Sequence, residues 1–190
     1  MASEFEVKYR SSPSAMAALK AACGPFETIT METTYYDAAD GALSARRWTL
    51  RRRLENGKSV CTLKTPGVGL ERGEWEVPCG DILSAVPALI AAGAPKELEE
   101  LVSGGVTPTC GARFTRLACR VAYGASEMEL ALDEGALLGG GREEPLCEVE
   151  AELKRGSQED TLAFGAFLAE TYGLTPEPKS KLARALALRP

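Results

Sequence analysis

Two stretches of strict polar/apolar alternation frame this chain. Glu4-Phe5-Glu6-Val7-Lys8 stands near its start, and Glu148-Val149-Glu150-Ala151-Glu152-Leu153-Lys154 repeats the pattern towards its end. Successive side chains of a β-strand point to opposite faces, so Glu4, Glu6 and Lys8 share one face while Phe5, Val7 and Tyr9 share the other. Counting these two, eight segments alternate well enough to be strands: roughly 3–10, 28–37, 46–55, 59–66, 72–79, 112–122, 126–134 and 146–154. Asn56-Gly57 reads as a two-residue hairpin between the third and fourth, and Gly124-Ala125 as the turn from sixth to seventh. Pro66-Gly67-Val68-Gly69 reads as a loop joining the fourth and fifth. Helical patterns fall between and after the strands. Ser12 caps a first helix with Pro13 at its opening position, running to Cys23-Gly24. Asp81 opens a second that Pro87 interrupts, Pro95–Val102 gives a short third, and Ser157 starts a fourth that stops at Tyr172-Gly173. Lys179–Leu188 makes a final basic turn or two. The reading is a single α+β domain spanning residues 1–190, with no repeat and no linker.

A charged face on one strand means little, because half-buried strands ordinarily turn polar residues to water. The strands together say more. Arg51 and Arg53 lie on one face of the third, Thr62 and Lys64 of the fourth, and Arg72, Glu74 and Glu76 of the fifth. Arg116 and Arg120 share a face of the sixth, and Glu127, Glu129 and Asp133 one of the seventh. The opposite faces carry Leu50, Leu54, Leu63, Trp75, Val77, Leu117, Val121, Met128, Leu130, Leu132, Val149 and Leu153, which the helices must cover. Eight strands suffice to close an antiparallel barrel, which removes exposed edges. With helices packed outside, the charged faces point inward and line a polar tunnel. Unpaired buried charge costs several kcal/mol, so such an interior has to be wet and to bind something charged. Arginine forks suit phosphate oxygens, and clustered carboxylates suit Mg²⁺ or Mn²⁺.

Composition narrows the chemistry. Hydrophobic residues make up 45% and charged residues 26%, as in ordinary globular proteins, and the net charge of −5 argues against broad nucleic-acid binding. No apolar run is long enough to span a membrane, and the start lacks a signal-peptide core, so a cytoplasmic protein is expected. Six cysteines form no C-x-x-C pair and read as reduced thiols. The complete absence of histidine excludes Ser-His-Asp and Cys-His catalysis and most zinc sites. Acid–base chemistry is left to carboxylates, lysines, tyrosines or metal-bound water.

The ordered series of motifs closely resembles the CYTH family of triphosphate tunnel metalloenzymes. Glu4-x-Glu6-x-Lys8, Leu50-Arg51-Arg52-Arg53, Thr62-Leu63-Lys64, Arg72-Gly73-Glu74-Trp75-Glu76, Phe114-Thr115-Arg116, Glu129 to Gly135, Glu148 to Gly156 and Lys179-Ser180-Lys181 follow the family order over nearly the whole chain. The resemblance implies a closed eight-stranded antiparallel tunnel and Mg²⁺- or Mn²⁺-dependent handling of a small-molecule triphosphate. It implies metal ligation by Glu4, Glu6, Glu148 and Glu150, with Glu74, Asp133 and Glu152 as helpers. Lys8, Arg51, Arg53, Lys64, Arg72, Arg116 and Lys181 would grip phosphates, and Glu4, Glu6, Lys8, Glu150 and Lys181 carry the catalytic expectation. Arg120 and Lys154 share that register, with surface ion pairing as the alternative. Bacterial inorganic triphosphatases are the most similar members, so tripolyphosphate hydrolysis is the expected reaction. A class IV-type adenylyl cyclase, a thiamine triphosphatase and a non-catalytic polyphosphate-binding module are the rivals. Neither a nucleic-acid nor a membrane partner is expected, nor a histidine-rich CHAD partner in the same chain.

Three tempting signals have plainer readings. Asn56-Gly57-Lys58-Ser59 echoes the tail of a P-loop, but Arg52 stands where that motif needs glycine. Gly139-Gly140-Gly141 reads as a flexible loop, and Tyr35-Tyr36 as strand packing.

Overall fold

Alternation becomes a closed sheet because each strand has one apolar face to bury. The structure, a computed structural model, describes residues 2–67 and 71–189, without the side chains of residues 2, 3 and 71. Its strands are β1 (Ala2–Arg10), β2 (Glu27–Ala38), β3 (Thr49–Glu55), β4 (Lys58–Pro66), β5 (Glu71–Pro78), β6 (Val106–Tyr123), β7 (Ser126–Gly139), β8 (Arg142–Arg155) and the two-residue β9 (Thr175–Pro176). Neighbours run β5-β4-β3-β2-β6-β7-β8-β1, and β1 returns to pair with β5, closing an eight-stranded antiparallel barrel. β1 makes both seams: its first half pairs with β5, Glu4 opposite Arg72, and its second half with β8, Lys8 opposite Glu150.

Helices α1 (Pro13–Ala22), α2 (Ala42–Ala45), α3 (Val86–Ala91), α4 (Glu97–Leu101), α5 (Gln158–Tyr172) and α6 (Lys181–Leu186) complete the chain. Met16 and Leu19 of α1 with Phe164 and Leu168 of α5 cover the outer face at Val7, Leu130, Leu132 and Val149. Leu43, Val86, Leu89 and Leu98 cover Leu50, Leu63 and Trp75 in the same way. The caps at Ser12 and Ser157 form as expected, each hydroxyl accepting an amide hydrogen bond.

Several boundaries move for physical reasons. The third strand begins at Thr49, not 46, because Gly41, at φ 73°, opens α2, and Arg47 is held at φ 57°. The Asp37 carboxylate organises that turn by accepting amides of Ala38, Leu43 and Ser44. Pro87 stands in the first turn of α3 instead of interrupting a helix, while Asp81 accepts the Ser84 amide in the turn before it. Gly139-Gly140-Gly141 is no flexible loop. Gly140 and Gly141 adopt φ 57° and 75° in a two-residue hairpin, which lets β7 and β8 continue to the turn. β6 starts at Val106 because a register shift opposite Tyr35 and Tyr36 absorbs the irregular stretch around Pro108. Asn56 and Gly57, at φ 49° and 80°, form the anticipated hairpin with Lys58 exposed at its tip. Of the loop assigned to Pro66-Gly67-Val68-Gly69, Val68 and Gly69 lie outside the described residues.

α6 occupies the mouth that these lengthened strands create. Its Ala185 packs among Met31, Ala112, Phe114, Leu137 and Leu146, residues that continue the inner faces of the barrel. Any side chain at Gly139 would collide with the Ala185 carbonyl oxygen, so glycine there permits the helix to seat. Seating α6 brings Lys181 to the tunnel.

Candidate active site

Inside the barrel is a cavity of about 560 Å³. Its walls carry Glu4, Glu6 and Lys8 of β1, Arg51, Arg53 and Glu55 of β3, Lys64 of β4, and Arg72, Glu74 and Glu76 of β5. Arg116 of β6, Glu129 of β7, Glu150, Glu152 and Lys154 of β8, and Lys181 of α6 complete the charged lining. Among the expected metal ligands, Glu4, Glu6, Glu74, Glu150 and Glu152 line this space. Asp133 and Glu148 lie behind it with no exposure. Arg120 stays at the rim, outside the lining, its side chain 55% exposed and paired with Glu127. Tyr35 is buried as packing would require, yet it also lines the cavity beside its cross-strand partner Arg51.

The charges sort into two groups. On one wall Lys64 grips Glu4 at 2.6 Å and reaches Glu74 at 3.3 Å, with Arg51 3.6 Å from Glu74. Arg53 pairs with Glu55 and lies 3.6 Å from Glu76. Arg51 and Arg53 each keep a buried Nε with no hydrogen-bond partner, donors an anion's oxygens could satisfy. At the α6 mouth, one oxygen each of Asp133, Glu148 and Glu150 lie within 4.8 Å of one another. Lys181 Nζ sits among them, 2.9 Å from Asp133, 2.7 Å from Glu150 and in contact with Glu148. Arg116 donates Nε and Nη2 to Asp133, each at 2.7 Å, and reaches Glu150. Lys8 donates to the Lys179 carbonyl at 3.0 Å, tying the approach to α6 to β1.

Burial and neighbouring charge set the ionisation. Burial pushes Glu6 up to about 7, helped by repulsion from Glu150 and Glu4. Burial likewise raises Glu148 to about 7 against the pull of Lys181. Glu150 is held well below the ordinary carboxylate range because Lys181 and Arg116 overcome its burial. The carboxylates hold Lys181 and Arg116 above their usual values despite burial. A raised carboxyl favours the protonated folded state, so the native form binds more protons than the unfolded one between about 4.5 and 7. The depressed carboxyl of Glu150 already gives its full contribution throughout that range. Without added metal, the melting temperature is therefore expected to fall as pH rises from about 5 to 8, and Mg²⁺ to reverse part of the fall. Melting curves at several pH values, with and without Mg²⁺, check this; a rise with pH would contradict it.

The donor set fits a hard divalent cation: it is all oxygen, buried, and already built around a positive group in the form of the Lys181 ammonium. Sequence reasoning did not single out Arg184, Glu144 or Glu177. Arg184 is buried between all three of Glu148, Glu144 and Glu177. Its spacing of three from Lys181, on the same helical face, was the available signal.

The fold and the site together are a closed antiparallel tunnel whose walls pair basic with acidic groups. This chain belongs to the CYTH domain family, whose model matches residues 2–186. A curated relative from Haemophilus influenzae, named an inorganic triphosphatase, is 31% identical over 86% of this chain. The chain spans about half, 49%, of that relative's length. Solved structures share the fold. A Hippeastrum protein named for adenylyl cyclase and described as having a dominant triphosphatase activity superposes with a TM-score of 0.69 at 22% identity, covering 100% of this chain and 97% of its own. A Pyrococcus horikoshii protein superposes at 0.66 with 21% identity, covering 98% and 99%.

Proposed function

We propose that this protein hydrolyses inorganic tripolyphosphate to pyrophosphate and phosphate in a reaction that depends on Mg²⁺ or Mn²⁺. The observation that carries the reading is the pairing of unsatisfied arginine donors on one wall of the cavity with Glu150 on the other, backed by the buried carboxylates Asp133 and Glu148. The curated relative's name supports the choice of substrate. Asp133, Glu148 and Glu150 would hold the metal, together with Glu4 and Glu6 and with Glu74 and Glu152 as helpers. When bound, the metal supplies charge neutralisation and a more acidic water. Arg51, Arg53, Lys64, Arg72 and Lys8 bind and orient the phosphate chain, and their charge stabilises the departing pyrophosphate. Arg116 and Lys181, which line the cavity and pair with the triad, would reach phosphate from that side. With no histidine in the chain, a carboxylate or the hydroxide the metal would supply is the base in this reading.

The substrate in this reading is a small molecule, not nucleic acid. Cytoplasmic residence goes with it and rests on the six free thiols. No helix among the described residues is long and apolar enough to cross a membrane. The test is phosphate release with Mg²⁺ or Mn²⁺ from tripolyphosphate, ATP and thiamine triphosphate, with Glu4→Ala/Glu6→Ala as control. Tripolyphosphate is expected to be cleaved well above the others and the control to be inactive. Cyclic AMP from ATP would mark a cyclase, preferred cleavage of thiamine triphosphate a thiamine triphosphatase, and tight binding without release a polyphosphate-binding module.

A further inference from the structure

The two cations of α6 meet the same carboxylate from different sides. Glu148 has no exposure, and its two oxygens are divided: Oε1 receives Lys181 Nζ, while Oε2 receives Arg184 Nη1 at 3.1 Å. Arg184 does not line the cavity and is only 6% exposed. Its Nη2 donates to Glu144 at 3.0 Å, and its Nε lies 3.7 Å from Glu177 without a hydrogen bond. Glu177 is itself fixed, accepting the Lys179 amide at 2.9 Å and a bond from Arg10. The guanidinium thus spans β8 and the segment leading into α6, a task that suits a planar fork and not a point charge.

We propose that Arg184 is a positioning residue for the metal-binding triad: by holding Oε2 of Glu148 from behind, it keeps Oε1 turned towards Asp133 and Glu150, where Lys181 and a divalent cation compete for it. The inference rests on the metal reading above. Lys181 is a tethered stand-in at the triad's centre, and Arg184 is part of the frame that holds the triad open to either occupant.

The two residues, three apart on one helix, carry the same charge and predict opposite results. Coulomb attraction alone says that removing either positive charge strengthens binding of a divalent cation. Positioning says that Lys181→Met strengthens it while Arg184→Met weakens it, by about tenfold or more, as loss of a partner behind a ligand typically does. Arg184→Lys restores charge without the fork and is expected to fall between. The experiment titrates each folded protein with Mn²⁺ in the absence of substrate and follows free Mn²⁺ by electron paramagnetic resonance. A second readout is the Mn²⁺ concentration for half-maximal phosphate release, expected to rise for Arg184→Met with kcat at saturating Mn²⁺ much less affected. Arg184→Met binding Mn²⁺ as tightly as the unaltered protein, or more tightly, overturns the proposal. If circular dichroism shows Arg184→Met unfolded, Glu144→Gln takes its place: it loosens the outer arm of Arg184, and unchanged Mn²⁺ affinity there overturns the proposal equally. No Mn²⁺ binding by the unaltered protein would fell the metal reading itself, and the inference with it.

Discussion

Glu150→Gln is expected to lower tripolyphosphate cleavage by roughly two to three orders of magnitude while leaving a folded barrel. Glu150 is where the two halves of the site meet. It is the one member of the triad that also lines the cavity, it takes Lys181 and Arg116, and it faces Glu6 closely enough to raise that carboxyl. Glutamine keeps the shape and some hydrogen bonding but removes the charge that a divalent cation and both basic groups require. Its own burial is expected to be tolerated, since a neutral amide is less costly to desolvate than a carboxylate. The check is phosphate release at saturating Mn²⁺ alongside a circular-dichroism spectrum. A folded variant retaining a large share of the activity would remove Glu150 from the chemistry.

Arg116→Met is expected to act on stability first. Asp133 has no exposure and receives a two-pronged bond from Arg116, so the substitution leaves a buried carboxylate paired with Lys181 in place of two cations. Removing one partner of such a pair costs about 3–5 kcal/mol. In a domain of this size that lowers the melting temperature on the order of 10 °C. Asp133→Leu combined with Arg116→Met is expected to recover part of the loss, because the stranded charge goes too. Thermal denaturation of the single and double variants decides it. A single variant melting with the unaltered protein would mean that Asp133 is relieved some other way.

The barrel was legible because alternation is a local property. Which face of Glu4 to Lys8, or of Arg51 to Arg53, is charged follows from period two, and eight such faces with helices to cover the other sides leave closure as the economical arrangement. Less legible were the places where distant segments set local form. Arg46 to Trp48 looked like strand, but Asp37 and Gly41 fold that stretch into a turn around α2. The alternation predicts strands only over 112–122, 126–134 and 146–154, yet the sheet extends past these bounds, through Pro108, Gly139 and Pro145. The strands continue because the Gly140-Gly141 turn and a register shift absorb the irregularities.

The same division runs through the site. The chain by itself determined which residue types would face inward, and the lack of histidine determined that any proton transfer must use other groups. Charge type and strand parity are written residue by residue, so no tertiary knowledge is needed to read them. Only the tertiary structure decided that Asp133 and Glu148 stand behind the cavity and Arg120 at its rim. It alone placed the Lys181 ammonium inside the triad, with Arg184 bracing Glu148 from the far side. Those relations depend on the barrel's stagger and on α6 crossing a mouth more than thirty residues along the chain from Glu148. Parity reports the face of a strand but not the height along the tunnel. Height is set by how strands slip past one another when the sheet closes.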